Sequence, residues 1–322
     1  MNVSPISDQR GYVHDNATER RVNGTFIPVA PEKLTLNDWM RIPSLLIALA
    51  GLVGNGAVLW LLGFRIQRNH LSVYILNLAA ADALFLCCSL LNCINRLAHY
   101  LFSSVTYCVI IYLRYASYAV GLSLLAAIST ERCLSALFPL WYRNRRRKHT
   151  SAAVCAVLWA LAGLLWVTRF VLCFYLYPDK FCSGIYRVIE SVWFTLLSPV
   201  LCVSSLTLLL RVQCSSRRRR PPRLYLLVLL TVLVFLLCGL PMGIWSVLYF
   251  HFHVDLMPSW LRQLLACVNS SVNPLIYFFL GRRGQKRREP LRVVLRRALE
   301  DEREIRDETR DKSNTNSPET SI

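Results

Sequence analysis

The chain has 322 residues, of which 54% are hydrophobic, and its mean hydropathy of +0.39 is too high for an ordinary soluble domain of this length. Its formal net charge of +18 would suggest nucleic-acid binding in a soluble protein. The basic residues, however, are concentrated in every second connection between apolar stretches, a pattern that excludes nucleic-acid binding and indicates a membrane protein.

Residues 1–41 form a polar N-terminal segment that we predict to be extracellular and glycosylated. The segment contains three sequons, which begin at Asn2, Asn16 and Asn23. A sequon is used only if its segment reaches the lumen of the secretory pathway. No apolar signal core precedes the first apolar stretch, so we expect that stretch to act as an uncleaved anchor.

Seven apolar stretches follow, each close to or above the roughly 20 residues that cross about 30 Å of hydrocarbon as an α-helix. They cover residues 42–64, 71–92, 105–135, 152–174, 188–212, 224–250 and 260–281. The connections are short, and the sequence has no inverted repeat of the transporter kind. The predicted fold is therefore an all-α membrane protein, a seven-transmembrane helix bundle over residues 42–281.

The distribution of arginine and lysine predicts how the bundle is oriented. Basic residues are concentrated in the first, third and fifth connections and directly after the seventh stretch. By the positive-inside rule these segments are cytoplasmic, so the N-terminus is extracellular and the C-terminus cytoplasmic. The same charges are placed to contact anionic lipid of the inner leaflet.

Four polar residues lie inside the apolar stretches: Asn55, Asp82, Asn269 and Asn273. Such residues are costly in lipid and normally face the interior of a bundle. One interpretation is that they hold the helices together by hydrogen bonds; a second is that they form a polar cluster that rearranges between two states. Pro241 is expected to kink the sixth stretch and so provide a place where it can swing.

Short motifs occur in order along the apolar stretches. In these motifs and their order the chain resembles the rhodopsin-like class of G-protein-coupled receptors, over about residues 42 to 300. The motifs are Asn55, Asp82, Glu131-Arg132-Cys133, Trp159, Pro241 and Asn273-Pro274-Leu275-Ile276-Tyr277. Longer runs are similar to the Mas-related receptor family within that class. These runs are residues 74–82, 129–135, 138–142 and 235–241.

This resemblance implies a plasma-membrane receptor that converts binding of an extracellular ligand, a small acid or anion or a peptide, into activation of a heterotrimeric G protein. It implies that Arg132 faces the G protein and pairs with Glu131 at rest. Leu140 is placed to pack into the G protein, and Tyr277 would turn inward on activation. The expected mechanism is the opening of a bistable bundle by a ligand that prefers one state.

Two glycines depart from the common pattern of the rhodopsin-like class. Gly239 stands where most of these receptors have a tryptophan beneath the ligand, so we expect a shallower pocket floor and a different activation trigger. Gly121 stands where a serine usually completes a sodium site around Asp82. The resemblance therefore does not carry sodium binding over to this chain.

One disulfide is implied by the resemblance. Related receptors bridge the positions of Cys173, at the outer end of the fourth stretch, and Cys182, in the connection that follows. Cys108 is the alternative partner of Cys182, because many rhodopsin-like receptors join the third helix to that connection. The remaining cysteines lie mostly within the stretches, where a reduced cysteine behaves as a small apolar residue.

Arg114, in the outer part of the third stretch, is the main candidate for ligand binding. Amine receptors carry an aspartate at that depth, whereas an arginine favours a carboxylate or phosphate through bidentate hydrogen bonds. We hypothesise an anionic ligand that Arg114 holds, with Arg169 assisting. In the alternative, Arg114 pairs with Glu190 and Arg169 snorkels to the interface. Further candidate pocket residues are Tyr115, Tyr118, Glu190, Trp193, Trp245 and Tyr249.

Two segments follow the seventh stretch. Residues 282–300 are predicted to form a basic amphipathic helix on the inner leaflet, with Pro290 near its start. Residues 301–322 are charged and rich in serine and threonine, so we predict a disordered cytoplasmic tail. Its hydroxyls are candidate sites for receptor kinases and arrestin recruitment, and the terminal Thr320-Ser321-Ile322 fits a PDZ groove.

Other classes of protein match the sequence less well. The six histidines show no metal-ligand spacing, and no nucleophile–base pair stands out, so neither an enzyme, a metal site nor a cofactor is predicted. A transporter would normally show internal symmetry. The main alternative is a non-signalling seven-helix protein, an orphan or decoy in which the motifs survive only in part.

Overall fold

The structure is a computed structural model of the chain. It describes residues 19–22, 25–28, 39–65, 70–98, 101–138, 149–172, 180–216, 223–239, 241, 244, 248, 257–282, 292, 293 and 295. Within these ranges, side chains are described for most of the bundle, but not for residues 19–22, 25–28, 136, 180–187, 190, 205, 208, 209, 211–216, 223–228 or 280–282.

Seven long helices in this part of the chain confirm the predicted bundle. They are α1 (Ile42–Trp60), α2 (His70–Leu97), α3 (Ser104–Leu137), α4 (Thr150–Phe170), α5 (Lys180–Ser216), α6 (Arg223–Val234) and α7 (Ser259–Arg282). Two helices continue as short π-helical segments, α1 through Leu61–Arg65 and α6 through Phe235–Gly239. Each helix overlaps one predicted stretch.

Four of the helices are long and apolar enough to cross a membrane by length and composition alone. These are Ile42–Arg65, His70–Leu97, Ser104–Ser135 and Thr150–Phe170. Among the described residues, α5 and α6 contribute the shorter apolar segments Ser191–Ser204 and Leu229–Gly239. In α7 the polar residues that lower its hydropathy, among them Gln263, Asn269 and Asn273, are buried in the bundle.

Helix α3 is the central element of the bundle, because it contacts α2, α4, α5 and α6. It begins at a cap, where the Ser103 hydroxyl accepts a hydrogen bond from the Thr106 amide (3.3 Å). Leu122, Leu124 and Leu125 point in different directions around the helix and are all buried. A helix that is apolar and buried all round is expected at the centre of a membrane bundle.

Helices α1 and α7 approach closely because small residues lie between them. A Cβ atom at Gly51 would lie 2.7 Å from Ser271 Cβ and 2.8 Å from Leu86 Cδ1, and one at Gly54 would lie 3.1 Å from Pro274 Cβ. The Ser271 hydroxyl donates to the Ile47 carbonyl across the same contact (3.1 Å). Such close approach of small residues is typical of helix pairs in membranes.

The N-terminal segment contains a β-hairpin that the sequence analysis did not predict. Strand β1 (Glu19–Val22) pairs antiparallel with β2 (Thr25–Pro28), and Val22 lies opposite Thr25. The two strands flank the dipeptide Asn23-Gly24, the sequence that most favours a two-residue hairpin connection. The signal was therefore present, and the all-α prediction holds only for the helical bundle.

Candidate functional site

The end of the bundle at which α1 begins is called the outer end here, and it carries two arginines on one aromatic cluster. The Arg114 guanidinium lies over the Tyr115 ring (5.0 Å), and that ring stacks on Trp166 of α4 (5.6 Å, 11° between planes). The Arg169 guanidinium lies over Trp166 (5.0 Å) and over Tyr112 (5.3 Å). A stacked tyrosine–tryptophan pair thus links the two candidate anion-binding residues.

The Arg114 guanidinium has no hydrogen bond or ion pair with any residue that the structure describes. Its Nε atom is buried without a partner, and its described contact is the face of Tyr115. The predicted alternative partner, Glu190, belongs to α5, but its side chain lies outside the described residues. The ring contact satisfies the charge in part, and the Nε–H group is left without an acceptor among the described residues.

The outer half of the bundle is cationic throughout the part that the structure describes. It contains Arg41, Arg96, Arg114, Arg169 and Arg262, whereas the acidic residues with described side chains are Asp82, at mid-depth, and Glu131, at the opposite end of α3. Several like charges at one end of a molecule raise the electrostatic potential there and concentrate ions of the opposite sign. This end of the molecule is therefore suited to an anion.

A buried network that sequence reasoning missed joins α1, α2 and α7 near the outer end. The Arg41 guanidinium, only 3% exposed, donates to Gln263 Oε1 (3.1 Å) and to Ser259 Oγ (2.9 Å). The Gln263 amide donates to Cys93 Sγ (2.9 Å) and to the Ser89 carbonyl (3.4 Å). Arg41 stands at the very start of an apolar stretch, where an arginine is normally an ordinary interfacial residue.

The mid-depth polar residues are brought together as the sequence predicted. Asp82, 4% exposed, accepts a hydrogen bond from Asn273 Nδ2 at Oδ2 (2.8 Å), which joins α2 to α7. Asn55 donates from Nδ2 to the Ser270 carbonyl (3.1 Å) and to the Gly51 carbonyl (3.0 Å). Asn269 is also buried. Three helices are therefore linked by asparagine side chains around one carboxylate.

Tyr118 lies one turn below Arg114, at the boundary between the outer cluster and this polar centre. Its ring packs on Phe85 of α2 (5.0 Å between centroids). The side chain is only 8% exposed, and its hydroxyl has no hydrogen-bond partner among the described residues. Tyr118 is thus placed deeper than a residue that forms the wall of an open pocket.

Trp193 has a contact that its prediction as a pocket residue did not include. Its indole Nε1 donates to Ser123 Oγ of α3 (3.1 Å), and the Ser123 hydroxyl donates in turn to the Ala119 carbonyl (2.8 Å). On α4, Trp159 similarly donates from Nε1 to Asn77 Oδ1 of α2 (3.1 Å). These tryptophans use their polar atoms to join helices, as buried tryptophans usually do.

At the opposite end of α3, Arg132 is 3% exposed and buried among the helices. Its neighbour Cys133 donates from Sγ to the Ser204 carbonyl (3.0 Å), which ties α3 to α5. Tyr277 and Pro274 of α7 are also buried. The structure thus places the arginine motif on α3 and the proline–tyrosine motif on α7 inside the bundle.

Gly239 of the sixth helix, which the sequence analysis singled out, lies against an aromatic ring. A Cβ atom at Gly239 would lie 2.6 Å from Phe235 Cδ2, so the Phe235 ring occupies the space that a larger residue 239 would need. Phe235 contacts Phe194 of α5 (6.1 Å between centroids). Phe235 and Gly239 are the first and last residues of the π-helical segment, and the half-buried Pro241 follows two residues later.

Several predicted residues lie outside the described part of the chain, so their predicted roles remain predictions. They are Asn2, Asn16, Asn23, Leu140, Cys173, Trp245 and Tyr249, together with the side chains of Cys182 and Glu190. Cys108, the alternative disulfide partner, carries a free thiol. No group of three or more metal-ligating side chains occurs among the residues that the structure describes.

Comparison with known proteins agrees with the arrangement of these motifs. The sequence profile of the family described as 7 transmembrane receptor (rhodopsin family) matches residues 54–277. The chain is 47% identical over 281 residues to Mas-related G-protein coupled receptor member X2 of Hoolock hoolock, an alignment that covers 81% of this chain and 83% of the relative.

Two further relatives extend the similarity. The receptor of the same name from Homo sapiens is 46% identical over 288 residues, with 81% of this chain and 83% of the relative covered. The receptor from Macaca mulatta is 46% identical over 307 residues, which covers 90% of this chain and 91% of the relative. The similarity therefore includes all seven helices.

Proposed function

Since the chain belongs to the Mas-related G-protein-coupled receptors of the rhodopsin family, we propose that a ligand with an acidic group activates it by binding to Arg114. As a member of this family it is a multi-pass membrane protein and a signalling receptor. Its partners are an extracellular ligand and a G protein. The observation that carries the proposal is the absence of any hydrogen bond or ion pair to the Arg114 guanidinium among the described residues.

The energetics of Arg114 favour an anionic partner. An arginine costs about 2.5–3.5 kcal/mol at the centre of a membrane helix on insertion scales, and this value is an upper limit for Arg114 in the outer part of α3. A cation–π contact such as that with Tyr115 returns about 0.5–2 kcal/mol. A ligand carboxylate that accepts two N–H bonds from the guanidinium would recover the remainder, because charge-assisted bidentate bonds are strong in a low dielectric.

Arg169 would assist from the neighbouring helix. It lies on the Trp166 ring that stacks on Tyr115, so both arginines border one aromatic surface. This arrangement favours an acid with an apolar or aromatic body, whose rings would contact the same surface. Tyr115, Glu190, Trp193, Trp245 and Tyr249 remain the other proposed contacts, and a peptide with an acidic group would meet the same requirement.

The proposed route to the G protein runs through the buried polar centre. Ligand binding would favour a state in which the bonds between Asp82 and Asn273 are rearranged, with Asn55 and Asn269 as their neighbours. The kink at Pro241 would then let α6 swing, and Pro274 and Tyr277 would move with α7. Arg132, released from Glu131, would face the G protein beside Leu140.

The membrane arrangement is part of the proposal. We place residues 1–41 outside the plasma membrane, with glycans on Asn2, Asn16 and Asn23 and a disulfide between Cys173 and Cys182. We place residues 282–300 as an amphipathic helix on anionic inner-leaflet lipid, followed by a tail at 301–322 for receptor kinases and arrestin. Burial of Leu295 beside the exposed Arg292 and Val293 supports that helix.

Nucleotide exchange in membranes that carry the full chain tests the proposal. A panel of heterotrimers would be challenged with hydrophobic carboxylates, with the uncharged amide and the amine of each, and with basic peptides. We expect exchange in response to the acids but not to their amides, because only the acids can pair with Arg114. Arg132→Ala should remove the response to every ligand.

Substitutions of Arg114 separate the charge from its geometry. Arg114→Gln should weaken the response to the acids at least tenfold, since about 1.4 kcal/mol corresponds to a factor of ten. Arg114→Lys keeps the charge but cannot bond in a bidentate manner, so an intermediate loss is expected. Arg169→Gln is the matched control on α4, with a smaller loss. A full response of Arg114→Gln to the acids would refute the proposed site.

A further inference from the structure

Arg114, Tyr118 and Gly121 lie along one face of α3, because residues spaced by four and three positions are neighbours on a helix surface. Arg114 is at the outer end of this row. At its inner end, a Cβ atom on Gly121 would lie 3.5 Å from Asp82 Oδ1. The row therefore extends from the cation of the proposed ligand site to the carboxylate of the polar centre, with Tyr118 between them.

Tyr118 faces several neighbouring helices. Its ring packs on Phe85 of α2. Its hydroxyl is near enough to interact electrostatically with Asp82 of α2, with Cys267 of α7 and with Cys238 at the end of α6. A change in the position of any of these helices relative to α3 therefore changes what surrounds the hydroxyl.

The Tyr118 hydroxyl is buried without a hydrogen-bond partner among the residues that the structure describes. Most buried polar groups in proteins are paired, and an unpaired one raises the free energy of the arrangement in which it occurs. An arrangement of the bundle in which the Tyr118 hydroxyl has an acceptor is therefore favoured by the hydrogen bond that it gains. Of the two acidic side chains that the structure describes, Asp82 is the one near Tyr118, and its carboxylate already accepts a hydrogen bond from Asn273.

We propose that Tyr118 is a positioning residue for activation, whose hydroxyl is unpaired in the present arrangement and bonds to the Asp82 carboxylate in the arrangement that binds the G protein. Ligand at Arg114, one turn above, would favour that second arrangement by drawing this face of α3 toward α2 and α7. The ligand half of this inference rests on the proposed function. The pairing of Tyr118 with Asp82 does not.

Tyr118→Phe tests the inference because it removes the hydroxyl and keeps the ring that packs on Phe85. Two quantities would be measured on the purified full chain: the midpoint of thermal unfolding without G protein, and the affinity for a nucleotide-free heterotrimer. We expect the midpoint to stay the same or rise, because an unpaired hydroxyl is lost. The affinity should fall roughly 3- to 10-fold, the worth of one net hydrogen bond.

Tyr107→Phe is the matched control, because it makes the same change on the same helix. Its hydroxyl lies at the outer end of α3, where it accepts a bond from Arg96 (3.5 Å). This variant should leave the heterotrimer affinity unchanged. A fall in both stability and affinity for Tyr118→Phe would show a merely structural role, and an unchanged affinity would show no role. Either result overturns the inference.

The Asp82→Ala background identifies the acceptor. If the hydroxyl acts through Asp82, Tyr118→Phe should change the heterotrimer affinity less than twofold in that background. An undiminished effect there would overturn the assignment of Asp82. Neither measurement uses a ligand. A receptor that responds to no acid would refute the ligand site at Arg114, whereas the effects of Tyr118→Phe on the unfolding midpoint and on heterotrimer affinity would still test the pairing with Asp82.

Discussion

Replacement of Gln263 by leucine should destabilise the bundle strongly, although no ligand or G protein contacts this residue in our account. The Gln263 side chain accepts a hydrogen bond from Arg41 (3.1 Å) and donates to Cys93 Sγ (2.9 Å) and to the Ser89 carbonyl (3.4 Å). Leucine has a similar volume and fills the same space. The substitution therefore removes hydrogen bonds with little change in packing.

The magnitude follows from which bonds are lost. A hydrogen bond to a charged donor such as the Arg41 guanidinium contributes about 1.5–3 kcal/mol when buried, and a neutral bond contributes about 0.5–1.5 kcal/mol. The contacts to sulfur and to a carbonyl at 3.4 Å are weak, and leucine regains some apolar contact. We therefore expect Gln263→Leu to lower the free energy of unfolding by about 2–3 kcal/mol.

Ser259→Ala is the matched control, since it removes one half-buried neutral acceptor of the same guanidinium (2.9 Å). It should cost less than Gln263→Leu, about 1 kcal/mol, because the hydroxyl is half-buried, water can replace it as the acceptor, and the guanidinium keeps its bond to Gln263. Arg41→Met combined with Gln263→Leu should cost clearly less than the sum of the two single changes, because a buried polar pair replaced as a whole leaves no unpaired charge.

The assay is unfolding of the purified receptor in mixed detergent micelles, followed by intrinsic tryptophan fluorescence. Additive losses in the double variant would refute the coupling of Arg41 to Gln263. A loss for Gln263→Leu no larger than that for Ser259→Ala would refute the larger contribution assigned to the buried bond between Arg41 and Gln263.

Three further substitutions test other contacts. Gly51→Leu should greatly reduce the yield of folded receptor at the cell surface, because a side chain there overlaps α7 and α2; a normal yield, measured by surface labelling, would contradict the close packing. Trp159→Phe removes the bond to Asn77 (3.1 Å) and should cost about 1 kcal/mol in the same unfolding assay, with no effect on G-protein exchange. Asn273→Ala removes the donor to Asp82 (2.8 Å) and should reduce agonist-stimulated exchange more than it reduces the amount of folded receptor; equal losses would indicate a structural role only.

Helix number and order were predictable from the sequence because each span is a long apolar run bounded by short polar connections. The ends were less certain: α5 was predicted to begin at residue 188, and it begins at Lys180. Its first turns are polar, and hydropathy does not register a helix that continues beyond the hydrocarbon. The hairpin was not predicted because its short strands lack a regular alternation of apolar and polar residues, and the turn dipeptide Asn23-Gly24 is also part of a glycosylation sequon.

The polar centre was largely predictable, whereas the outer network was not. A polar residue inside an apolar run is conspicuous, so the sequence indicated that Asp82 and Asn273 face the interior; which polar residues bond to each other is visible only in the structure. Arg41 and Gln263 lie near the ends of their stretches, where polar residues are common and carry no signal. Their contact joins residues 222 positions apart, and such a pairing becomes visible only when the helices are placed together.

The central claim is that the charge at Arg114 selects an acidic ligand, and exchanging that charge tests it most directly. Membranes that carry the wild-type chain or Arg114→Asp would be challenged with a hydrophobic carboxylate and with the amine of the same size, and nucleotide exchange would be measured. We predict that the wild type responds to the acid and that Arg114→Asp responds to the amine instead, because the sign of the charge at that position is reversed. An acid response that persists undiminished in Arg114→Asp would contradict the account.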